Sequence, residues 1–199
     1  MSTLRSQFTN APNLVTMGRV VLVPVVLLFI DNFSPLRSFV GMLLYLVSAA
    51  GDFLDGYLAR SRGEVSVLGK FLDPLADKVI VLSALVMLVR LGRVAVWVVV
   101  VIVAREFLIS GLRTIAATEG LVISASQGGK WKTSLQLCGI ICLMLHYHFG
   151  IDYGFGRVLV TDFHAVGLVV LYLSLGTSIA SAVEYVRAFY TLDTGEQRG

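Results

Sequence analysis

Residues 52–77 read DFLDGYLARSRGEVSVLGKFLDPLAD, and they set four carboxylates into or beside segments that otherwise look built for lipid. On a helix, Asp52, Asp55 and Ala59 at i, i+3 and i+7 share one face, while Asp73 and Asp77 form an i, i+4 pair with Gly69 one turn earlier. Two such faces opposed make one acidic pocket. An ionised carboxylate at a bilayer centre costs roughly 2.5–3.5 kcal/mol on insertion scales, and clustering like charges raises that cost unless cations neutralise them. All-oxygen ligands of this kind suit a hard divalent ion, Mg²⁺ or Mn²⁺, and four of them can hold two ions. Helix-end carboxylates that merely pair with Arg60, Arg62 and Lys78 would account for two aspartates, but hardly for four together with both glycines.

Working outward, the composition places the stretch in a membrane protein. Of the 199 residues, 56% are hydrophobic and 15% charged, with a mean hydropathy of +0.82. Soluble domains carry about 25% charge, so water is not the main solvent. The net charge of +3 raises the question of nucleic acid. The basic residues, however, lie between apolar segments rather than in one stripe, and no nucleic-acid motif is present, so anionic headgroups and phosphorylated small molecules are the expected partners. The N-terminus lacks a secretory signal pattern, and the apolar run from Leu14 is expected to remain as the first membrane helix. Cys138 and Cys142, i and i+4 in an apolar segment, are expected to be free thiols.

The fold class expected is all-α: one polytopic domain of six transmembrane helices. Residues 1–13 read as an N-terminal interfacial segment, 14–190 as the six-helix domain and 191–199 as a polar cytoplasmic tail. The spans fall at about 14–30, 38–58, 71–89, 94–112, 131–149 and 165–190, joined by loops at 31–37, 60–70 and 113–132 and by an outward loop containing His146, Tyr147, His148, Asp152 and Arg157. With the N-terminus inside, twelve of the 16 Lys and Arg residues lie on the cytoplasmic side or half, and only Arg37, Arg90, Arg93 and Arg157 face outward. That asymmetry puts both termini and the acidic pocket at the cytoplasmic face.

The central stretch fits D-x-x-D-G-x-x-A-R-x8-G-x-x-x-D-x-x-x-D, with Asp52, Asp55, Gly56, Ala59, Arg60, Gly69, Asp73 and Asp77 at every specified position. It resembles the signature of the CDP-alcohol phosphotransferase family, without departures. The resemblance implies a CDP-linked donor, transfer of its phosphoryl-containing part to an alcohol, and release of CMP. It implies Asp52, Asp55, Asp73 and Asp77 as ligands of two divalent ions, and Asp77 also as the base that deprotonates the alcohol. Asp52, Gly56, Ala59, Arg60 and Gly69 would lie along the CDP, the small residues letting a nucleotide approach helix backbone. Close helix packing is the other use of such glycines. Two ions about 3.5–4 Å apart bridge phosphate oxygens and stabilise charge that develops in displacement.

The flanking segments Pro12-Asn13-Leu14-Val15-Thr16-Met17-Gly18-Arg19, Ala104-Arg105-Glu106-Phe107-Leu108-Ile109-Ser110-Gly111-Leu112-Arg113 and Gly129-Lys130-Trp131-Lys132-Thr133 resemble one bacterial branch of that family, the phosphatidylglycerophosphate synthases. That branch implies a bacterial inner-membrane location, CDP-diacylglycerol as donor and sn-glycerol 3-phosphate as acceptor; the family as a whole implies a homodimer. An acceptor with its own phosphate needs cations besides the metals, and Arg105, Arg113, Lys130 and Lys132 are available on the pocket side. Arg105 stands inside an apolar segment, where its alternative is an ion pair with Glu106 or another carboxylate; the other three double as positive-inside anchors. Asn13, Thr16 and Arg19 are candidate pocket-lining residues, and Asn13 is equally placed to cap the first helix. Other acceptors fit the same chemistry: serine, inositol phosphate, or phosphatidylglycerol as in a cardiolipin synthase. A divalent-cation transporter would instead carry carboxylates near the midplane with polar residues continuing outward, whereas here they gather at one end.

Overall fold

The structure is a computed structural model. It describes the backbone of residues 11–31, 33–62, 67–119, 127–152, 154 and 158–196, and their side chains except at 11–15, 52–62, 67–74, 127–130, 158 and 192–196. Among these residues the chain forms α1 (Ala11–Phe29), α2 (Pro35–Arg62), α3 (Val67–Arg90), α4 (Val96–Thr118), α5 (Gln127–Leu145), the strands β1 (His148–Asp152) and β2 (Val158–Asp162), and α6 (Phe163–Glu196). By internal packing they divide into two compact units, residues 1–91 with 144–147, and residues 92–143 with 148–199.

In the first unit α1 packs along both α2 and α3, which touch each other far less. Val23, Val26, Met42, Tyr45, Ile80, Ala84, Leu85 and Leu88 are buried between them. The turn from α1 to α2 is built by local polar chemistry. Asp31 Oδ1 accepts the backbone N–H groups of Phe33 and Ser34, both at 3.0 Å. Ser34 precedes Pro35 at the first helical position, the usual place for proline, and its hydroxyl accepts the Arg37 N–H at 3.4 Å. Arg37 then pairs with Asp31 at 2.9 Å and donates to the Leu28 carbonyl at the end of α1. At the other end of the unit, α3 runs into a turn at Gly92, whose φ of 71° is left-handed.

In the second unit α4 packs on α6, with Trp97 against Tyr172 at 6.0 Å between ring centroids. Two glycines bring α5 and α6 together. A Cβ at Gly139 would stand 3.0 Å from the Leu171 nitrogen, and one at Gly167 would stand 2.9 Å from the Leu143 nitrogen. Arg93, expected in an outward loop, is instead 1% exposed and donates to the Leu143 carbonyl at 3.1 Å. It satisfies one of the carbonyls left open at the end of α5. Cys138 and Cys142 are free thiols.

The helices are longer than the apolar runs suggest. Within the expected 60–70 connection α2 runs on to Arg62 and α3 already starts at Val67, within the expected 113–132 loop α4 runs on to Thr118 and α5 already starts at Gln127, and α6 continues into the expected tail to Glu196. The physical reason is that helical hydrogen bonding does not stop at the edge of an apolar run; polar residues such as Arg60 and Lys70 continue it. The fifth helix, by contrast, ends at Leu145 rather than 149, because His146 adopts a left-handed φ of 59°. The segment expected as an outward loop contains a β-hairpin, pairing His148 with Asp162 through Asp152 with Val158, while the rest of the described chain keeps the helical class expected. Its alternation of Phe149, Ile151, Leu159 and Thr161 has a period of two that was passed over because the segment is short and glycine-rich. Residues 1–10 of the expected interfacial segment lie outside the described residues.

Candidate active site

The signature residues fall on two consecutive helices of the first unit. Asp52, Asp55, Gly56, Ala59 and Arg60 lie in the last third of α2; Gly69, Asp73 and Asp77 lie in the first half of α3. Both segments are helical in backbone, so the i, i+3 and i, i+4 spacings fall within single helices. Only residues 63–66 separate the two helices, so the acidic end of α2 leads directly into that of α3. Apart from Asp77, the side chains of these residues lie outside the described residues.

Asp77 shows how the site is organised. Arg19, on α1 and only 6% exposed, places Nη2 2.9 Å from Asp77 Oδ1, while its Nε donates to the Ser48 carbonyl of α2 at 2.8 Å. One guanidinium thereby links all three helices of the unit, using its rigid fork as a lysine could not. Gly51 makes room for it, since a Cβ there would stand 3.3 Å from Arg19 Cδ. Thr16, one turn before Arg19, is also buried. The Asp77 side chain is 44% exposed, so the carboxylate is held on one side and accessible on the other. Of the expected pocket-lining residues, Arg19 thus touches the expected base directly; the Asn13 side chain lies outside the described residues.

The donor set fits divalent metal. Aspartates at four positions of α2 and α3 offer only hard oxygen ligands by residue type, and the protein already sets a cation against the one whose side chain is described. Asp52, Asp55, Asp73 and Asp77 are the residues that would hold such ions.

Within the second unit, Arg105 and Lys132 come together through a residue the sequence reading used only as an alternative partner. Glu106 Oε1 lies 3.6 Å from Arg105 Nη1 and in contact with Lys132 Nζ. Arg105 Nε also donates to the Ser178 carbonyl at 3.0 Å, and the Ser174 hydroxyl donates to the Lys132 carbonyl at 3.1 Å. Arg113 lies over the Tyr185 ring, 5.9 Å from its centroid. The Lys130 side chain lies outside the described residues. Three buried serines and Tyr185 on α6 are polar residues of this unit that the sequence did not single out as functional. Their spacing at 174, 178, 181 and 185 keeps one helix face and was the available signal.

Residues 9–180 match the CDP-alcohol phosphatidyltransferase family. Similar proteins include the CDP-diacylglycerol–glycerol-3-phosphate 3-phosphatidyltransferase of Bacillus subtilis, 37% identical over 149 residues that cover 69% of this chain and 77% of that protein. The enzyme of the same name from Rickettsia bellii is 34% identical over 94% of this chain and 91% of its own. That from Haemophilus influenzae is 31% identical over 89% and 92%. The match spans the helices that carry the four aspartates as well as those that carry Arg105 and Lys132, and on that ground the chain belongs to the CDP-alcohol phosphatidyltransferase family.

Proposed function

We propose that the protein is the enzyme that transfers the phosphatidyl group of CDP-diacylglycerol to sn-glycerol 3-phosphate, yielding phosphatidylglycerophosphate and CMP. The observation that carries this is the complete eight-residue signature on α2 and α3, with Asp77 oriented by a buried arginine and open to a substrate. The full-length relatives bearing that activity in their names support the choice of acceptor.

In the reaction, the primary hydroxyl of glycerol 3-phosphate forms a bond to the phosphorus of the phosphatidyl group. The bridging P–O bond to CMP breaks, and CMP leaves with the electron pair. Asp77 takes the hydroxyl proton, and the Arg19 contact keeps its carboxylate from rotating away. Gly56, Ala59 and Gly69 let the nucleotide lie against helix backbone, with Arg60 beside its phosphates. Arg105, Arg113, Lys130 and Lys132 receive the acceptor's phosphate. Asp52, Asp55, Asp73 and Asp77 would hold two Mg²⁺ or Mn²⁺ ions, which would supply charge neutralisation at the phosphates being exchanged.

The setting is a bacterial inner membrane, crossed six times, with the site and both termini cytoplasmic and the chain working as a homodimer. Among the described residues, Phe163–Thr191 is long and apolar enough by itself to cross a bilayer, and Thr16–Phe29, Pro35–Gly51 and Trp131–Leu145 are shorter apolar helical segments. Exposed Val21, Leu28, Val47, Trp131 and Val169 give these helices the outward apolar faces that lipid covers.

The test is CMP release by purified protein in detergent with CDP-diacylglycerol and Mg²⁺, offering glycerol 3-phosphate, serine, inositol phosphate or phosphatidylglycerol as sole acceptor. Release confined to glycerol 3-phosphate and reduced at least about 100-fold in Asp77→Asn is the expected result. Release with a different acceptor overturns the substrate; full activity in Asp77→Asn overturns the base.

A further inference from the structure

The long apolar helix α6 carries one polar row, Ser174, Ser178, Ser181 and Tyr185, at i, i+4, i+7 and i+11. All four are buried in the second unit. Ser174 spends its hydroxyl on the Lys132 carbonyl. The hydroxyls of Ser178 and Tyr185 do not follow: each is buried, in residues 2% and 8% exposed, and neither has a hydrogen-bond partner among the described residues. A buried hydroxyl without a partner is costly, and an alanine or phenylalanine would pack as well.

Both hydroxyl-bearing residues are in contact with cations. The Ser178 carbonyl accepts from Arg105, which shares Glu106 with Lys132, and Tyr185 lies beneath the Arg113 guanidinium. Three cations and one carboxylate leave a local charge of +2, opposite in sign to a phosphate monoester with its charge of about −2. Seven residues of helix separate the two hydroxyls by about 10 Å along the axis, so a small extended ligand meets them with different ends.

We infer that Ser178 and Tyr185 are further binding residues for the phosphorylated polyol acceptor, their hydroxyls bonding to its oxygens. The inference rests on the proposed role of Arg105, Arg113 and Lys132 as the acceptor's phosphate site. It accounts for hydroxyls that helix packing alone does not require, because their partner arrives with the substrate.

Ser178→Ala and Tyr185→Phe each remove a single oxygen and keep the surrounding packing. If the hydroxyls serve packing alone, deleting them leaves KM for glycerol 3-phosphate unchanged. If they bind the acceptor, each variant raises that KM about tenfold, spares KM for CDP-diacylglycerol, and leaves ligand-free thermal stability equal or higher. The thermal stabilisation given by added glycerol 3-phosphate falls in parallel. Arg105→Gln is measured alongside. If it raises the acceptor KM while both hydroxyl variants behave as wild type, the inference is overturned and the phosphate site stands. If all three behave as wild type, the phosphate site falls with it. A rise in one hydroxyl variant alone keeps the contact for that residue and overturns it for the other.

Discussion

Arg19→Met removes a side chain that joins α1, α2 and α3, and its cost can be worked from the contacts. The Ser48 carbonyl sits within α2, so helix bonding meets part of its need, and losing the 2.8 Å contact costs about 1 kcal/mol. Breaking a fully buried ion pair costs about 3–5 kcal/mol, but Asp77 is 44% exposed and water replaces part of the lost contact. About 1–2 kcal/mol therefore belongs to the 2.9 Å Asp77 interaction, and the variant should lose about 2–3 kcal/mol in all. For a chain of this size that lowers the melting temperature by roughly 5–10 °C. The assay is thermal unfolding in detergent with chelator present, run as a double-mutant cycle with Asp77→Ala. A coupling of about 1–2 kcal/mol is expected. If Arg19→Met costs the same with Asp77 present or absent, to within about 0.3 kcal/mol, the guanidinium does not hold the carboxylate, and the positioning argument fails.

Gly167→Ala should destabilise by about 1–3 kcal/mol, since its Cβ would press 2.7 Å from Leu143 Cγ and 2.9 Å from the Leu143 nitrogen. Gly111→Ala, with nothing within 4 Å, should be neutral or stabilising by up to about 1 kcal/mol; equal melting temperatures for the two would refute the close approach of α5 and α6. Arg93→Met should cost about 2–3 kcal/mol by orphaning the Leu143 carbonyl in a buried site, and a loss below about 0.5 kcal/mol would count against that cap. At the start of α6 the Asp162 carboxyl is held below the ordinary carboxylate range, chiefly by the Ala165 N–H and also by the His164 N–H and the nearby histidines. Because its folded pKa is depressed, its contribution is present above the unfolded value of about 3.9 and is lost as pH falls through the folded value. Melting curves taken across pH 2–5 should show that loss in the wild type and lack its Asp162 component in Asp162→Asn.

The acidic cluster was legible because it depends on short-range order. Asp52, Asp55, Asp73 and Asp77 declare themselves by helical spacing inside an apolar background, where an ionised group needs a reason to be present. The role of Arg19 was only half legible. Arg19 was a candidate pocket-lining residue, but its contact with Asp77 spans 58 positions and its bond to Ser48 spans 29. The hairpin was missed because five-residue strands carry little periodic signal, and the buried Arg93 because flanking arginines ordinarily face headgroups.

Sequence by itself determined the apolar composition, the helical class and the family signature, since hydrophobic periodicity and residue chemistry are properties of neighbours along the chain. Tertiary structure decided the pairings. Glu106 became the shared counter-ion of Arg105 and Lys132, Gly51 the clearance for Arg19, and Ser178 and Tyr185 carriers of hydroxyls with no partner among the described residues. Each of these depends on which atoms meet across helices distant in sequence, and only the packed backbone sets those distances.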